Sequence, residues 1–129
     1  MITAGRRHWL AIAVLAAVTF ANTWRNPFQF DDLHSVQYNP HIRSLRFLPD
    51  YFVDPATFSS HPSGYMYRPL LLTSYAANYL VGGTRVGGYR LVNLVLHGLA
   101  SGLVVSVGLG LGLPAATAWT VGFLALVHP

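Results

Sequence analysis

From Leu91 to the C-terminus, 39 consecutive residues contain no Asp, Glu, Lys or Arg. A small water-soluble domain cannot present a run of that length without charge, whereas a bilayer demands it: a hydrocarbon core of ~30 Å takes about 20 apolar residues to cross as a helix. The remainder of the chain agrees, with 53% hydrophobic and 9% charged residues in 129. The expected class is therefore an all-α membrane protein with the lipid bilayer as its solvent. The net charge of +4 comes from eight arginines, and only Arg6-Arg7 are adjacent. Nucleic acid is excluded as a partner, because its recognition needs basic residues gathered on one face. The absence of cysteine excludes disulfides and thiolate metal sites.

Three apolar stretches organise the chain. Residues 9–24 have a Trp at each end and reach about 24 Å as a helix, so His8 and Arg25 are expected to complete a first span by snorkelling. Arg6-Arg7 ahead of it also resembles a twin-arginine export signal, but Asn22-Thr23-Trp24 is a poor end for a cleaved leader and an uncleaved anchor fits better. The second span is expected over 89–111 and closes in Gly108-Leu-Gly-Leu-Gly-Leu-Pro114. That glycine pattern follows no strand, which argues against dinucleotide binding. The third span is expected over 115–127. Thirteen residues do not cross a bilayer comfortably, and the chain is read as the N-terminal piece of a longer protein.

All four carboxylates fall between the first two spans, in an outer loop over 25–88. Two of them are adjacent, in Phe28-Gln29-Phe30-Asp31-Asp32. Neighbouring carboxylates repel, so Asp31 and Asp32 are candidates for chemistry or for a divalent cation, set against the plainer role of Asp as a helix cap. Oxygen ligands suit magnesium or manganese, but two adjacent acids are too few to define a site, and no metal ligands are assigned. Later in the loop, Pro69 and Gly82-Gly83 bracket a short helix expected over 69–81, lying at the membrane surface with its tyrosines at headgroup level. On the second span, Arg90, Asn93, His97 and Ser101 recur every three or four residues and make one polar stripe. Such residues within a span face a bundle interior or a wet cavity, as functional groups or as interhelical hydrogen-bond partners. Gly98 and Gly102 supply a small-residue packing face.

Five motifs in order, Phe30-Asp31-Asp32, Asn39-Pro40-His41-Ile42-Arg43-Ser44-Leu45, Tyr67-Arg68-Pro69-Leu70, Gly88-Tyr89-Arg90-Leu91-Val92-Asn93-Leu94-Val95-Leu96-His97 and Leu126-Val127-His128-Pro129, resemble the N-terminal part of the GT-C membrane glycosyltransferases. The nearest branch is that of the transmembrane O-mannosyltransferases with tetratricopeptide repeats and their bacterial relatives. The resemblance implies a larger multi-spanning fold in the bacterial inner membrane, or the endoplasmic reticulum membrane of a eukaryote, with the loop on the periplasmic or lumenal side. It implies a lipid-linked sugar donor, a polyprenyl phosphate carrying a mannose-like sugar, and a protein or glycan acceptor hydroxyl. By the same resemblance Asp31 is the catalytic base with Asp32 beside it. Arg68, at a helix N-terminus, and Arg90, at the outer end of the second span, are candidates for the donor phosphate, set against the plainer role of interfacial anchors, with Asn93 and His97 as the supporting polar stripe. Arg90 departs from the pattern, standing where this branch more often has His. The rival class is a non-catalytic anchor or transporter piece whose loop binds a partner.

Overall fold

The computed structural model describes residues 2–128, with side chains for 9–24 and 26–128. The snorkelling expected of His8 and Arg25, and the Arg6-Arg7 pair, concern side chains outside that set, as does Pro129. Four α-helices run Ile2–Thr19 (α1), Pro69–Gly82 (α2), Val86–Gly110 (α3) and Ala115–Val127 (α4), and no strand occurs among the described residues. The chain divides into two compact units, residues 25–89 and residues 1–24 with 90–129.

In the second of these, Ile12 and Ala16 of α1, Val105 of α3, and Ala118 and Leu126 of α4 are buried together, with Leu94 and Trp119 against them. Glycines allow the close approach. Gly98 faces Ile12 and Ala16, Gly102 lies on the Trp9 ring, and a Cβ on Gly122 would run into Val105. The polar side chains of these helices satisfy themselves locally: Ser101, Ser106 and Thr120 donate to the carbonyls of His97, Gly102 and Ala116, one turn back. The α-helical part of α1 closes at Thr19, because the backbone N–H and hydroxyl of Thr23 both donate to Phe20 O and tighten residues 21–25 into a 3₁₀ turn.

Three spans were expected, and one helix has the required length. At 25 residues α3 is apolar and reaches about 37 Å. Only 22% of its most apolar window is buried within this chain. Leu91, Val95, Leu99, Leu103 and Val107 stand exposed along it. The apolar parts of α1 (Trp9–Thr19) and of α4 are shorter. They fall below the ~20 residues of a straight crossing.

The unit 25–89 has a core of its own. Val36, Ile42, Tyr51, Phe58, Leu72, Ala76 and Tyr89 are buried, with Phe28, Phe47, Tyr75 and Tyr79 packed around them. Between Leu33 and Gly64 the backbone is a succession of single turns, Leu33–Gln37, His41–Arg43, Leu45–Phe47, Asp50–Phe52, Pro55–Phe58 and Pro62–Gly64. Proline at the first or second position starts the last two. The side chains of Ser44, Asp54 and His61 cap three of the turns by accepting the N–H two residues on. Turns this short have no ladder to hold them, so a buried side chain does it. Asn39, fully buried, donates through Nδ2 to the carbonyls of Ser35, Thr57 and Phe58 at 3.0–3.2 Å and accepts the His41 N–H through Oδ1. Helix α2 presses Leu72 and Ala76 into this core and leaves Leu70, Leu80 and Val81 exposed. Pro69 begins it, and Gly83 at φ +61° ends it.

Candidate functional site

The acidic pair follows a strained residue. Phe30 has φ +48° and is the one non-glycine residue with positive φ among the described residues. Its side chain is exposed, so no burial of the ring explains the conformation. A bulky residue in that region costs roughly 1–2 kcal/mol and persists where neighbours over-determine it. Here the neighbours do so: the N–H groups of Asp32 and Leu33 donate to Gln29 and Phe30 carbonyls, and Ser35 Oγ donates to Asp31 O at 2.6 Å. Asp32 stands at the N-cap position of Leu33–Gln37 but makes no side-chain capping bond. Capping therefore does not account for its carboxylate.

Asp31 is exposed, and its Oδ1 lies 3.5 Å from Nε2 of the partly buried His34. The other ring nitrogen of His34, Nδ1, is 3.0 Å from the buried Ser59 Oγ. Ser59 is in turn fixed at 2.8 Å to both the N–H and the carbonyl of His61. Asp31, His34, His61, Ser63, Gly64 and Met66 line a cavity of about 330 Å³. None of this was legible beforehand, since His34 and Ser59 are 25 residues apart and neither belongs to a local motif.

Arg68 stands at the N-cap position of α2 without a side-chain capping bond, its exposed guanidinium 5.7 Å above the Phe58 ring. Tyr75 ties it to the acids electrostatically. Burial pushes the Tyr75 hydroxyl above its usual range and the Asp32 charge adds to this, while the Arg68 charge and the nearby Ser35 hydroxyl pull it down and Asp31 adds the least upward push. The charges of Asp31, Asp32 and Arg68 thus all bear on the Tyr75 hydroxyl. No group of three His, Asp or other metal-ligating side chains gathers among the described residues.

Arg90, Asn93 and His97 lie in the other unit and line a different cavity of about 560 Å³ with His128, Thr23, Phe20, Leu94 and Leu96. His97 has a structural task there. Its Nε2–H donates to Leu126 O at 2.8 Å, one of the last-turn carbonyls of α4 that no intrahelical N–H reaches. The Phe20 ring meets the imidazole edge-on at 5.3 Å.

Over most of its length the chain is similar to proteins named O-mannosyl-transferases. The chain is 35% identical over 123 residues to protein O-mannosyl-transferase Tmtc1 of Drosophila melanogaster, a match covering 91% of this chain and 14% of that protein. It is 36% identical over 125 residues to protein O-mannosyl-transferase Tmtc2 of the same organism, covering 89% and 13%. Against protein O-mannosyl-transferase tmtc2 of Xenopus laevis it is 32% identical over 128 residues, covering 93% and 15%. The chain spans about one seventh of the length of the curated relatives it matches. No family model matches it, and no solved structure matches it.

Proposed function

We propose that this chain forms part of a membrane glycosyltransferase that moves a mannose-like sugar from a polyprenyl-phosphate donor to a hydroxyl, on a protein Ser or Thr, with Asp31 as the base. The observation that carries this reading is the Asp31 carboxylate, exposed at the rim of a polar cavity and set on a strained turn, in a chain similar to proteins named O-mannosyl-transferases. The acceptor oxygen attacks the anomeric carbon, Asp31 takes the hydroxyl proton, and the bond from that carbon to the phosphate oxygen breaks. Polyprenyl phosphate departs with the bonding electrons. A single displacement inverts the anomeric centre, with acceptor and leaving group on opposite faces of the sugar.

The leaving phosphate needs positive charge, which lowers the barrier by stabilising the anion as it forms. Arg68, beside the orphan N–H groups of the first turn of α2, offers it within the loop unit. Arg90 offers it in the apolar-walled cavity with Asn93 and His97, where a lipid chain and its phosphate both find suitable surroundings. In the bilayer α3 crosses, and the loop faces the periplasm or lumen.

The test is Asp31→Asn in the whole protein that carries this chain. It keeps shape and removes the base, and transfer from a short-chain polyprenyl-phosphate mannose to a Ser/Thr peptide should fall at least about 100-fold with the protein still folded. Equal rates in the two proteins reject the assignment. Loss of Arg68 or Arg90 should raise the apparent donor constant and leave the acceptor constant in place.

A further inference from the structure

His34 is absent from every sequence motif used above, and its surroundings fix which of its nitrogens carries a proton. Ser59 Oγ has one hydrogen and accepts through its lone pairs. It receives the His61 N–H, and its own hydrogen goes to the His61 carbonyl, both at 2.8 Å. The remaining contact, His34 Nδ1 at 3.0 Å, is then satisfied with Nδ1–H donating to Oγ. The alternative, Ser59 donating to His34, strips the His61 carbonyl of this partner. With Nδ1 protonated, neutral His34 presents a bare lone pair at Nε2, aimed at Asp31 Oδ1 3.5 Å away. A lone pair and a carboxylate repel unless a proton lies between them. The pair is built to hold one proton.

Gly64 shows that the contact is constructed rather than incidental. A Cβ there would lie 2.6 Å from Ser59 Oγ and 3.0 Å from His34 Cε1. The Pro62–Gly64 turn therefore closes over the His34–Ser59 contact because position 64 has no side chain. A backbone bond from Ser60 N–H to His34 O at 2.9 Å holds the two segments together. The titratable groups lining the same cavity are Asp31 and His61, the latter engaged through Nδ1 with Ser63 Oγ at 2.8 Å.

We infer that His34 is a positioning residue for the base: Ser59 sets its tautomer, and Nε2 receives from Asp31 the proton that Asp31 takes from the acceptor hydroxyl. This rests on the assignment of Asp31 above. The proton passes from acceptor oxygen to Asp31 to His34 Nε2, leaving Asp31 ionised again and the imidazole cationic, and water removes it between turnovers. The transfer frees the carboxylate for the next acceptor.

The experiment measures initial rates in the whole protein with short-chain polyprenyl-phosphate mannose and a Ser/Thr peptide. His34→Ala should lower kcat about 10- to 100-fold, a part of the usual span for proton transfer, with both KM values within about twofold of wild type. Free imidazole in the buffer should restore about a tenth or more of the lost rate by occupying the vacated space beside the cavity. His34→Gln, which retains an N–H for Ser59 but takes no proton, should show the same loss of kcat. An unchanged kcat, a loss confined to KM, or full activity in His34→Gln overturns the inference. Should His34→Ala fail to fold, His34→Gln alone decides on its kcat. Asp31→Asn distinguishes the levels: if it remains active, the base assignment has failed, and if it is dead while His34→Gln is fully active, only the role of His34 has.

Discussion

Replacing Asn39 with Ala should loosen the loop unit more than any other single truncation of a polar side chain there. One primary amide joins three turns, donating to Ser35 O, Thr57 O and Phe58 O and accepting from His41 N–H, all at 3.2 Å or less. Its two amide hydrogens serve three carbonyls, so the net gain counts as about three hydrogen bonds, or roughly 3 kcal/mol. Truncation also leaves the His41 N–H and the carbonyls stranded where Asn39 was fully buried, at roughly 1–3 kcal/mol for each group that no water reaches. A total of about 3–5 kcal/mol is a large part of the roughly 3–10 kcal/mol expected for a unit of this size. Trypsin cleavage after Arg43 and Arg46 reads it out, since Arg43 lies in a turn that the amide anchors and Arg46 in the turn that follows it. Where opening is fast relative to cutting, the rate follows the open population, and at ~1.4 kcal/mol per decade Asn39→Ala should be cut about 100- to 4000-fold faster. Asn39→Asp should be as fragile or worse, because it sets an acceptor against three acceptors. Cleavage within about threefold of wild type refutes the reasoning.

Burial and Asp32 raise the Tyr75 pKa, and burial and Asp50 raise that of Tyr51. Each stabilises the fold fully below the unfolded value of ~10 and ceases to do so as pH rises through the higher folded value, so loop stability should fall above pH ~10 and fall less in Tyr75→Phe. Thermal denaturation across that range with phenolate absorbance checks it, and equal slopes count against it. Gly122→Val should weaken α4 packing on α3 by about 1–3 kcal/mol through collision with Val105, whereas Gly110→Ala, with no atom near its would-be Cβ, should be neutral or slightly stabilising in a detergent melt. In this cysteine-free chain Ser63→Cys, exposed, should react with an impermeant maleimide from outside the cell, and reaction only after permeabilisation reverses the proposed orientation. Ser35→Cys should stay unreactive, because Ser35 is buried.

The helical class was legible because an uncharged run leaves a backbone few options. The limits of α2 sit on Pro69 and Gly83, residues whose own dihedral preferences start and stop a helix. Apolar composition marks α1 and α4 as it marks α3, and among the described residues α3 alone has both the length and the composition of a straight crossing. The loop core could not be read, since single turns carry no periodicity and their order depends on Asn39 meeting carbonyls 18 and 19 residues away. Asp31 and Arg68 were visible as rare charges in chosen places. His34, Ser59 and Gly64 were not, because a histidine, a serine and a glycine gain meaning only when the chain brings them together.

Tyr89 closes the core of the loop unit, and it lies in the first turns of α3, with its ring against Phe28 and Tyr75 and its hydroxyl donating to Gly83 O. Everything that core requires has been translated by then. Synthesis runs from the N-terminus, so every residue of this core is made before the remainder of α3 and before α4. The core beneath the acidic pair therefore draws on no residue of α4, and a chain cut after α3 still carries all of it.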